Sequence, residues 1–292
     1  MNAGQRRVVV TRPALEGAQW VTRFQARGMT ALALPLIEIS PAPDAAALVQ
    51  VWQRITEFDA LMFVSSNAIT KFFAACPSAL TKVWAGATSG PRLWVSGPGS
   101  RAALLACGVA GTRIDMPAPD APSLDSEALW LQVQAQVRPG LRVLIVRGDE
   151  VPLKSEAGLS VTRTFAPDSL GASANLCEQP PGQGRNWLAQ QLNAHGVDVE
   201  FVVAYLRAAP QWTAEQRMQV QQALDRGDLW LWSSGQALGN LLAAFPGQSW
   251  ANARAIATHA RIAQAAREAG FGTVVLSAPG FEALCASIES LA

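Results

Sequence analysis

The sequence predicts an α/β protein with parallel sheets, built from a duplicated domain-sized unit. Three observations point there. Short apolar runs alternate with helix-periodic segments along most of the chain. The runs are continuous, as in Val8-Val9-Val10 and Leu229-Trp230-Leu231-Trp232, and several stretches of the first half recur in the second. Strand–helix alternation implies parallel strands joined by crossovers, and unbroken apolar strands suit sheets covered on both faces.

The repeat is weak but long. Val8-Val9-Val10-Thr11-Arg12, followed by Trp20 and Gly28, matches Val143-Leu144-Ile145-Val146-Arg147, followed by Trp187 and Gly196. Val64-Ser65-Ser66-Asn67-Ala68-Ile69 returns as Trp232-Ser233-Ser234-Gly235-Gln236-Ala237-Leu238. Behind these, Phe72-Phe73-Ala74-Ala75-Cys76-Pro77 returns as Leu241-Leu242-Ala243-Ala244-Phe245-Pro246, after a one-residue insertion. Ser100-Arg101-Ala102-Ala103, up to Gly108, pairs with Ala260-Arg261-Ile262-Ala263, up to Gly270. The period is far longer than the roughly 20–50 residues of a solenoid unit. A pseudo-symmetric pair of domains is expected to hold a ligand between them.

Each element has its own signal. A β-branched run at 7–11 stops at Arg12-Pro13; Leu15, Ala18, Val21 and Phe24 then recur at helical spacing before Gly28, a natural helix-ending residue. An apolar, extended stretch over 31–39, interrupted by Pro35, ends at Pro41 and Pro43. Strand–helix units follow at 59–64 with 67–75 and 92–95 with 100–106, then a strand at 112–116 and a helix at 125–136. The pattern restarts with a strand at 141–146, a helix at 186–194 and a strand at 199–205. It closes with a helix at 214–225, strands at 229–232, 253–257 and 273–276, and helices at 236–244, 262–269 and 281–290. One segment breaks the symmetry: about 150–185 is rich in Pro, Gly and Ser. A stretch of this kind reads as a disordered insertion or as a substrate lid.

Composition narrows the function. Half of the 292 residues are hydrophobic and 15% are charged, so a large core is available and global disorder is excluded. A net charge of +1 with no basic run argues against a nucleic-acid partner. No run approaches the roughly 18 apolar residues of a membrane span, and no signal peptide is legible, so a cytoplasmic protein is expected. Cys76, Cys107, Cys177 and Cys285 are widely spaced, and the chain has two histidines, so neither a metal centre nor a disulfide framework is expected. His195 precedes a helix-ending glycine and reads as a surface residue near a helix C-terminus.

In parallel sheets ligands bind beyond the carboxyl ends of the strands. Arg12, Ser65, Ser66, Asn67, Gly97, Arg147, Ser233, Ser234 and His259 fall there. Ser and Asn are good helix N-caps, and capping alone accounts for either Ser-Ser turn. Two copies at equivalent strand ends also suit an anion held by helix N-terminal N–H groups, without many Lys or Arg. Gly97-Pro98-Gly99-Ser100-Arg101-Ala102 imitates a dinucleotide fingerprint, with Asp115 as the acid, but it follows the third strand and opens a short helix. Tyr205, the only tyrosine, ends a strand where the chain leaves one domain. It reads either as packing or as a phenolic O–H offered to a leaving group.

These motifs, in this order and spacing, resemble the uroporphyrinogen-III synthase family. The residues that carry the resemblance are Val10-Thr11-Arg12-Pro13, Phe63-Val64-Ser65-Ser66-Asn67-Ala68 and Val95-Ser96-Gly97-Pro98-Gly99-Ser100. Val146-Arg147-Gly148, Val203-Ala204-Tyr205, Trp232-Ser233-Ser234 and His259-Ala260-Arg261-Ile262-Ala263 complete it. The resemblance implies two flavodoxin-like domains with parallel sheets, joined by two crossing strands near 36–40 and 202–206. One domain would be discontinuous, 1–37 with 206–292, and the other would be 38–205. It implies a cofactor-independent lyase that closes linear hydroxymethylbilane to uroporphyrinogen III through a spiro intermediate. The enzyme that makes hydroxymethylbilane is a further expected partner. Tyr205 would assist hydroxide departure, and Ser100 would stand where the family has a threonine. Arg12, Ser65, Asn67, Ser233, Ser234, His259 and Arg261 would line the site. Two other readings remain: a non-catalytic two-domain binding protein for a small polyanion, and a nucleotide-using enzyme built on Gly97–Ala102 and Asp115.

Overall fold

The structure, a computed structural model, describes residues 7–84, 87–118, 121, 123–150, 184–278 and 280–291. The insertion expected at about 150–185, with Cys177, lies outside the described residues except at its two ends.

The chain opens with β1 (Val8–Val10), α1 (Ala14–Ala26), β2 (Ala31–Ala33) and β3 (Glu38–Pro41). The extended stretch expected over 31–39 with its interruption at Pro35 is two strands, Pro35 lying between them with no N–H to give a ladder. A helix missed in the sequence follows: α2 (Ala45–Gln53), capped by Asp44, whose carboxylate accepts the Ala47 N–H at 3.0 Å. Next come β4 (Ala60–Phe63), α3 (Ser66–Ala74) and a second unexpected helix, α4 (Ser78–Trp84). β5 (Arg92–Val95), α5 (Pro98–Ala106), β6 (Ile114–Asp115), α6 (Ser126–Val133) and β7 (Arg142–Glu150) complete the first half. The second half holds α7 (Gly184–Ala194), β8 (Asp198–Ala208), α8 (Ala214–Asp225), β9 (Leu229–Trp232) and α9 (Gly235–Ala244). It ends with β10 (Arg254–Ala257), α10 (Ala260–Glu268), β11 (Thr273–Leu276) and α11 (Phe281–Glu289).

The chain divides into two compact units, Met1–Ser40 with Arg207–Ala292, and Pro41–Leu206. In the first, the sheet runs β11-β10-β9-β1-β2 with its strands parallel. Because side chains alternate along a strand, β9 feeds two cores. Trp230 and Trp232 pack with Val9, Ala255, Leu238 and Leu241 on one face. Leu229 and Leu231 pack with Val8, Val10, Phe24 and Leu284 on the other. Both faces are covered, which is why these strands read as unbroken apolar runs.

The second unit's sheet runs β3-β8-β7-β4-β5-β6. β4 is parallel to β5 and β7, and β5 is parallel to β6. β7 and β8 are parallel as well. The Asp198 N–H donates to Leu141 O at one end, and Gly148 meets Tyr205 at the other, with the same sequence offset in both pairs.

Taken from β1, the first sheet has the flavodoxin-like spatial order 2-1-3-4-5; taken from β7, the second has it too, with β3 added outside β8. Only the chain order differs. The first unit meets its strands in sequence, whereas the second meets positions three to five before one and two. The amino ends carry a matching pair in each unit. Arg7 pairs with Asp228 at 2.7 Å, and the Asp228 side chain is 3% exposed. In the second unit the Asp59 carboxylate takes the Arg142 backbone N–H, while the Arg142 guanidinium goes to Glu57 and Glu200.

Candidate functional site

In a 2-1-3-4-5 sheet the connections leave strand one and strand three in opposite directions, and their carboxyl ends frame a crevice. That junction is β1 with β9 in the first unit and β7 with β4 in the second.

The second unit's junction holds the sharpest polar constellation. β4 ends at Phe63, and Ser65 caps α3 with extended backbone, its Oγ accepting the Ala68 N–H at 3.2 Å. The same Oγ lies 3.0 Å from the Tyr205 hydroxyl. Tyr205 stands on β8, two strands from β4, with β7 in the middle. Its ring crosses β7 at Gly148, where an added Cβ would lie 2.3 Å from the ring carbon Cζ. The missing side chain is what lets the phenol reach Ser65. Tyr205 is only 3% exposed.

Arg147 stands beside Gly148 on β7, half-buried, its guanidinium 5.0 Å from the centre of the Phe201 ring. Its Nε is buried, with no hydrogen-bond partner among the described residues. Ser66 and Asn67, both half-buried, open the first turn of α3. Gly97 and Ser100 belong to the next strand over: Gly97 is the N-cap of α5, and Ser100 is buried in its first turn. Pro98 occupies the first helical position, where a missing N–H costs nothing. Asp115 is engaged by Arg92, whose Nε donates to it at 2.8 Å. The imitation fingerprint therefore follows β5, one strand beyond the junction, with its acid already committed.

The first unit's junction is built differently. Buried Thr11 donates its hydroxyl to Leu231 O at 2.7 Å, tying β1 to β9. Arg12 meets Glu16 at 3.3 Å, one helical turn on, and lies 4.4 Å over Trp20. Burial lowers the Arg12 pKa from its ordinary value, and the Glu16 charge and hydrogen bond oppose that shift. Ser234 caps α9 by accepting the Ala237 N–H at 3.4 Å, with half-buried Ser233 before it. His259 caps α10, its Nδ1 accepting the Arg261 N–H at 3.2 Å; both residues are exposed. An acceptor Nδ1 leaves Nε2 to carry the proton of the neutral ring.

The structure also corrects the alignment of the repeats. Ser65 and Ser234 are the equivalent caps, so Val64-Ser65 corresponds to Ser233-Ser234, and Ser66 to Gly235. Phe72 then falls on Leu241 with no insertion. Likewise α5 and α10 are both nine residues long, and the caps Gly97 and His259 coincide, which puts Ser100 opposite Ile262. Identity of letters shifted both matches, because each turn changed its residues while keeping its length.

The predicted residues therefore gather as two strand-end sets. Tyr205 and Ser65 touch, with Arg147, Ser66 and Asn67 at the same junction and Gly97 and Ser100 beside it. Arg12, Ser233 and Ser234 share the other junction, with His259 and Arg261 beside it. Sequence reading missed Glu16 and gave no role to Gly148 or to Gln236, whose Oε1 is buried in the first turn of α9 with no hydrogen-bond partner among the described residues. The four-residue spacing of Arg12 and Glu16 is a helical ion-pair signal that could have been read. Among the described residues no cluster of His, Cys, Asp and Glu could hold a metal ion, and no helix is long and apolar enough to cross a membrane.

Comparison with known proteins adds a family and a fold. The family model described as uroporphyrinogen-III synthase HemD matches residues 18–163, half of the chain. No curated protein matches the sequence significantly. The crystal structure of uroporphyrinogen-III synthetase from Helicobacter pylori matches over 99% of this chain and 100% of its own, with TM-score 0.52 and 15% identity. A mutant uroporphyrinogen III synthase from Thermus thermophilus matches over 98% of both chains, with TM-score 0.50 and 14% identity. At such identities the two structures establish the shared fold.

Proposed function

This chain belongs to the uroporphyrinogen-III synthase family and is therefore an enzyme of porphyrin and heme biosynthesis; on that premise we propose a reaction and a set of roles. Linear hydroxymethylbilane is closed to uroporphyrinogen III, with the last pyrrole ring inverted through a spiro intermediate and water lost. The overall step is that of a cyclising lyase.

The observation that carries the reading is the hydroxyl pair between Ser65, in the turn after β4, and Tyr205, which does not end its strand as expected but lies inside β8, which runs on to Ala208. As the hydroxymethyl C–O bond breaks, the phenolic proton of Tyr205 passes to the departing oxygen, which leaves as water. The remaining azafulvenium carbon is attacked by a pyrrole carbon. The proton lost when the ring system regains aromaticity returns to the phenolate, so protons balance over the cycle. In the Pro41–Leu206 unit Arg147 and the N-terminal N–H groups of α3 and α5 are suited to a carboxylate, and in the other unit Arg12 and those of α9 and α10 are suited to one as well. Ser66, Asn67, Ser100, Ser233, His259 and Arg261 complete those anion-holding turns. The cation closes readily in water to the unrearranged isomer. The protein's contribution is therefore to hold one conformation of the chain, more than to supply a strong acid.

An expected consequence is that the protein works in the cytoplasm beside the enzyme that releases hydroxymethylbilane, since a substrate that closes spontaneously rewards a short transfer. The reading is tested by generating hydroxymethylbilane in situ, adding the protein, oxidising, and separating the porphyrin isomers. Predominant type III isomer supports it. Type I isomer alone, from folded protein, overturns it in favour of a binding protein.

A further inference from the structure

We propose that Gly148 and Ser65 are positioning residues that fix where the Tyr205 hydroxyl points, an inference that rests on the catalytic reading of Tyr205 above. Three observations meet. The phenol starts on β8 and ends against a residue following β4, so it must pass over β7. At the crossing point β7 carries Gly148, and a Cβ there would stand 2.3, 2.5 and 2.7 Å from ring atoms of Tyr205. Contacts that short do not occur between a methyl group and a ring, so any side chain at this position displaces the phenol. Gly148 keeps an ordinary backbone conformation, outside the set of positive-φ glycines, so the demand is for space alone.

Ser65 fixes the other end. One lone pair of its Oγ takes the Ala68 N–H in the first turn of α3. Either hydroxyl can donate across the 3.0 Å between Ser65 and Tyr205, and the inference is for the arrangement in which Ser65 donates to the Tyr205 oxygen. In that arrangement the phenolic proton is directed away from Ser65 and is available to another acceptor. When Tyr205 gives this proton up, the oxygen that becomes negative already has a donor, and that donor is anchored on the positive end of α3. β7 supplies the gap, and the α3 cap supplies the aim.

The test uses the whole enzyme and the isomer-resolved assay. Gly148→Ala is expected to lower kcat for type III formation about a hundredfold, the cost of an ångström-scale misplacement, with KM little changed. The decisive variant is Gly148→Ala combined with Tyr205→Phe. Phenylalanine keeps the ring and its clash but lacks the hydroxyl. If Gly148 acts through hydroxyl placement, the double variant is no slower than Tyr205→Phe alone; a general structural defect would multiply the two losses. Ser65→Ala, which leaves β7 intact, is expected to lower kcat in the same non-additive way, with Ser65→Thr restoring most of it. A readout independent of activity is available because the chain has one tyrosine. Isotope-labelled tyrosine gives a single set of ring signals, which Gly148→Ala and Ser65→Ala should both displace. Normal turnover and unmoved signals in Gly148→Ala, with Tyr205→Phe still defective, overturn the positioning inference alone. Normal type III turnover by Tyr205→Phe overturns the reading beneath it.

Discussion

The two units use the same spatial order of strands, yet they spend their first-strand junctions on different things. In the Pro41–Leu206 unit the position after Arg147 on β7 is Gly148, and the ring of Tyr205 passes over it to Ser65. In the other unit Pro13 stands to Val8 as Gly148 stands to Val143, and Ile37 follows Gly28 as Tyr205 follows Gly196. Ile37 is buried in the apolar core with Leu36. There the polar groups close on themselves: Thr11 holds Leu231, and Arg12 holds Glu16. The two sheets share one strand order, but one junction carries the Tyr205–Ser65 hydroxyl pair and the other a threonine-to-carbonyl tie beside an arginine–glutamate pair.

The comparison breaks most sharply at the hydroxyl. Tyr205→Phe is expected to lower type III turnover by about a hundredfold or more, the range for losing a general acid. The thermal midpoint should stay close to wild type, because the ring remains and only one hydrogen bond is lost. A rate within twofold of wild type would make the two junctions chemically alike and remove the reason for treating the second as the reactive one.

The amino ends of the sheets predict a difference in stability in the opposite sense. Asp228 is buried with Arg7, whereas the equivalent Asp59 is exposed. Removing one partner of a buried pair strands the other, so Asp228→Ala should cost about 3 kcal/mol by urea denaturation. Asp59→Ala should cost no more than about 1 kcal/mol, since it gives up an exposed hydrogen bond to the Arg142 N–H. Equal losses would mean that burial does not distinguish these ends.

Arg147 and Arg12 sharpen the same contrast for binding. Glu16 already takes part of the Arg12 charge, whereas Arg147 faces Phe201 with no ion pair recorded among the described residues. Arg147→Gln should therefore raise KM about tenfold, close to 1.4 kcal/mol, with kcat little changed. Arg12→Gln should raise it less. The reverse order would move the dominant carboxylate contact to the first unit.

Much of this architecture was legible because buried parallel strands advertise themselves. Val8-Val9-Val10 and Leu229-Trp230-Leu231-Trp232 have both faces covered, and Gly28 and Gly196 adopt the left-handed backbone that ends α1 and α7. α2 was missed although Asp44, Leu48 and Trp52 give a cap and a buried pair at four-residue spacing; proline at 41 and 43 drew attention to the turn instead. The Ser-Ser turns were legible as motifs but not as equivalents, because a cap is defined by where the helix starts and not by which letters repeat. Gly148 stood in the Val146-Arg147-Gly148 motif, but its role was out of reach. Its importance comes from a ring that crosses its strand to reach a partner on the far side, and strand pairing is a tertiary fact.

The smallest expected effect tests whether the threonine tie in the first unit is a brace. Thr11 is buried, and its equivalent on β7 is Val146, the same shape without the hydroxyl. Thr11→Val keeps the packing and removes one hydrogen bond, that to Leu231 O at 2.7 Å. Such a bond contributes about 1 kcal/mol net, so the urea midpoint should fall by that equivalent. Val146→Thr is the reciprocal change. There Met62 stands where Leu231 stands in the first unit, and its carbonyl can take the new hydroxyl, so a smaller change is expected. Loss in the first exchange without matching loss in the second would show that the strand-end bond is dispensable where the Tyr205 ring already crosses the same strands. Equal losses would instead assign the effect to the general sensitivity of buried strand positions, and the brace would have no special standing.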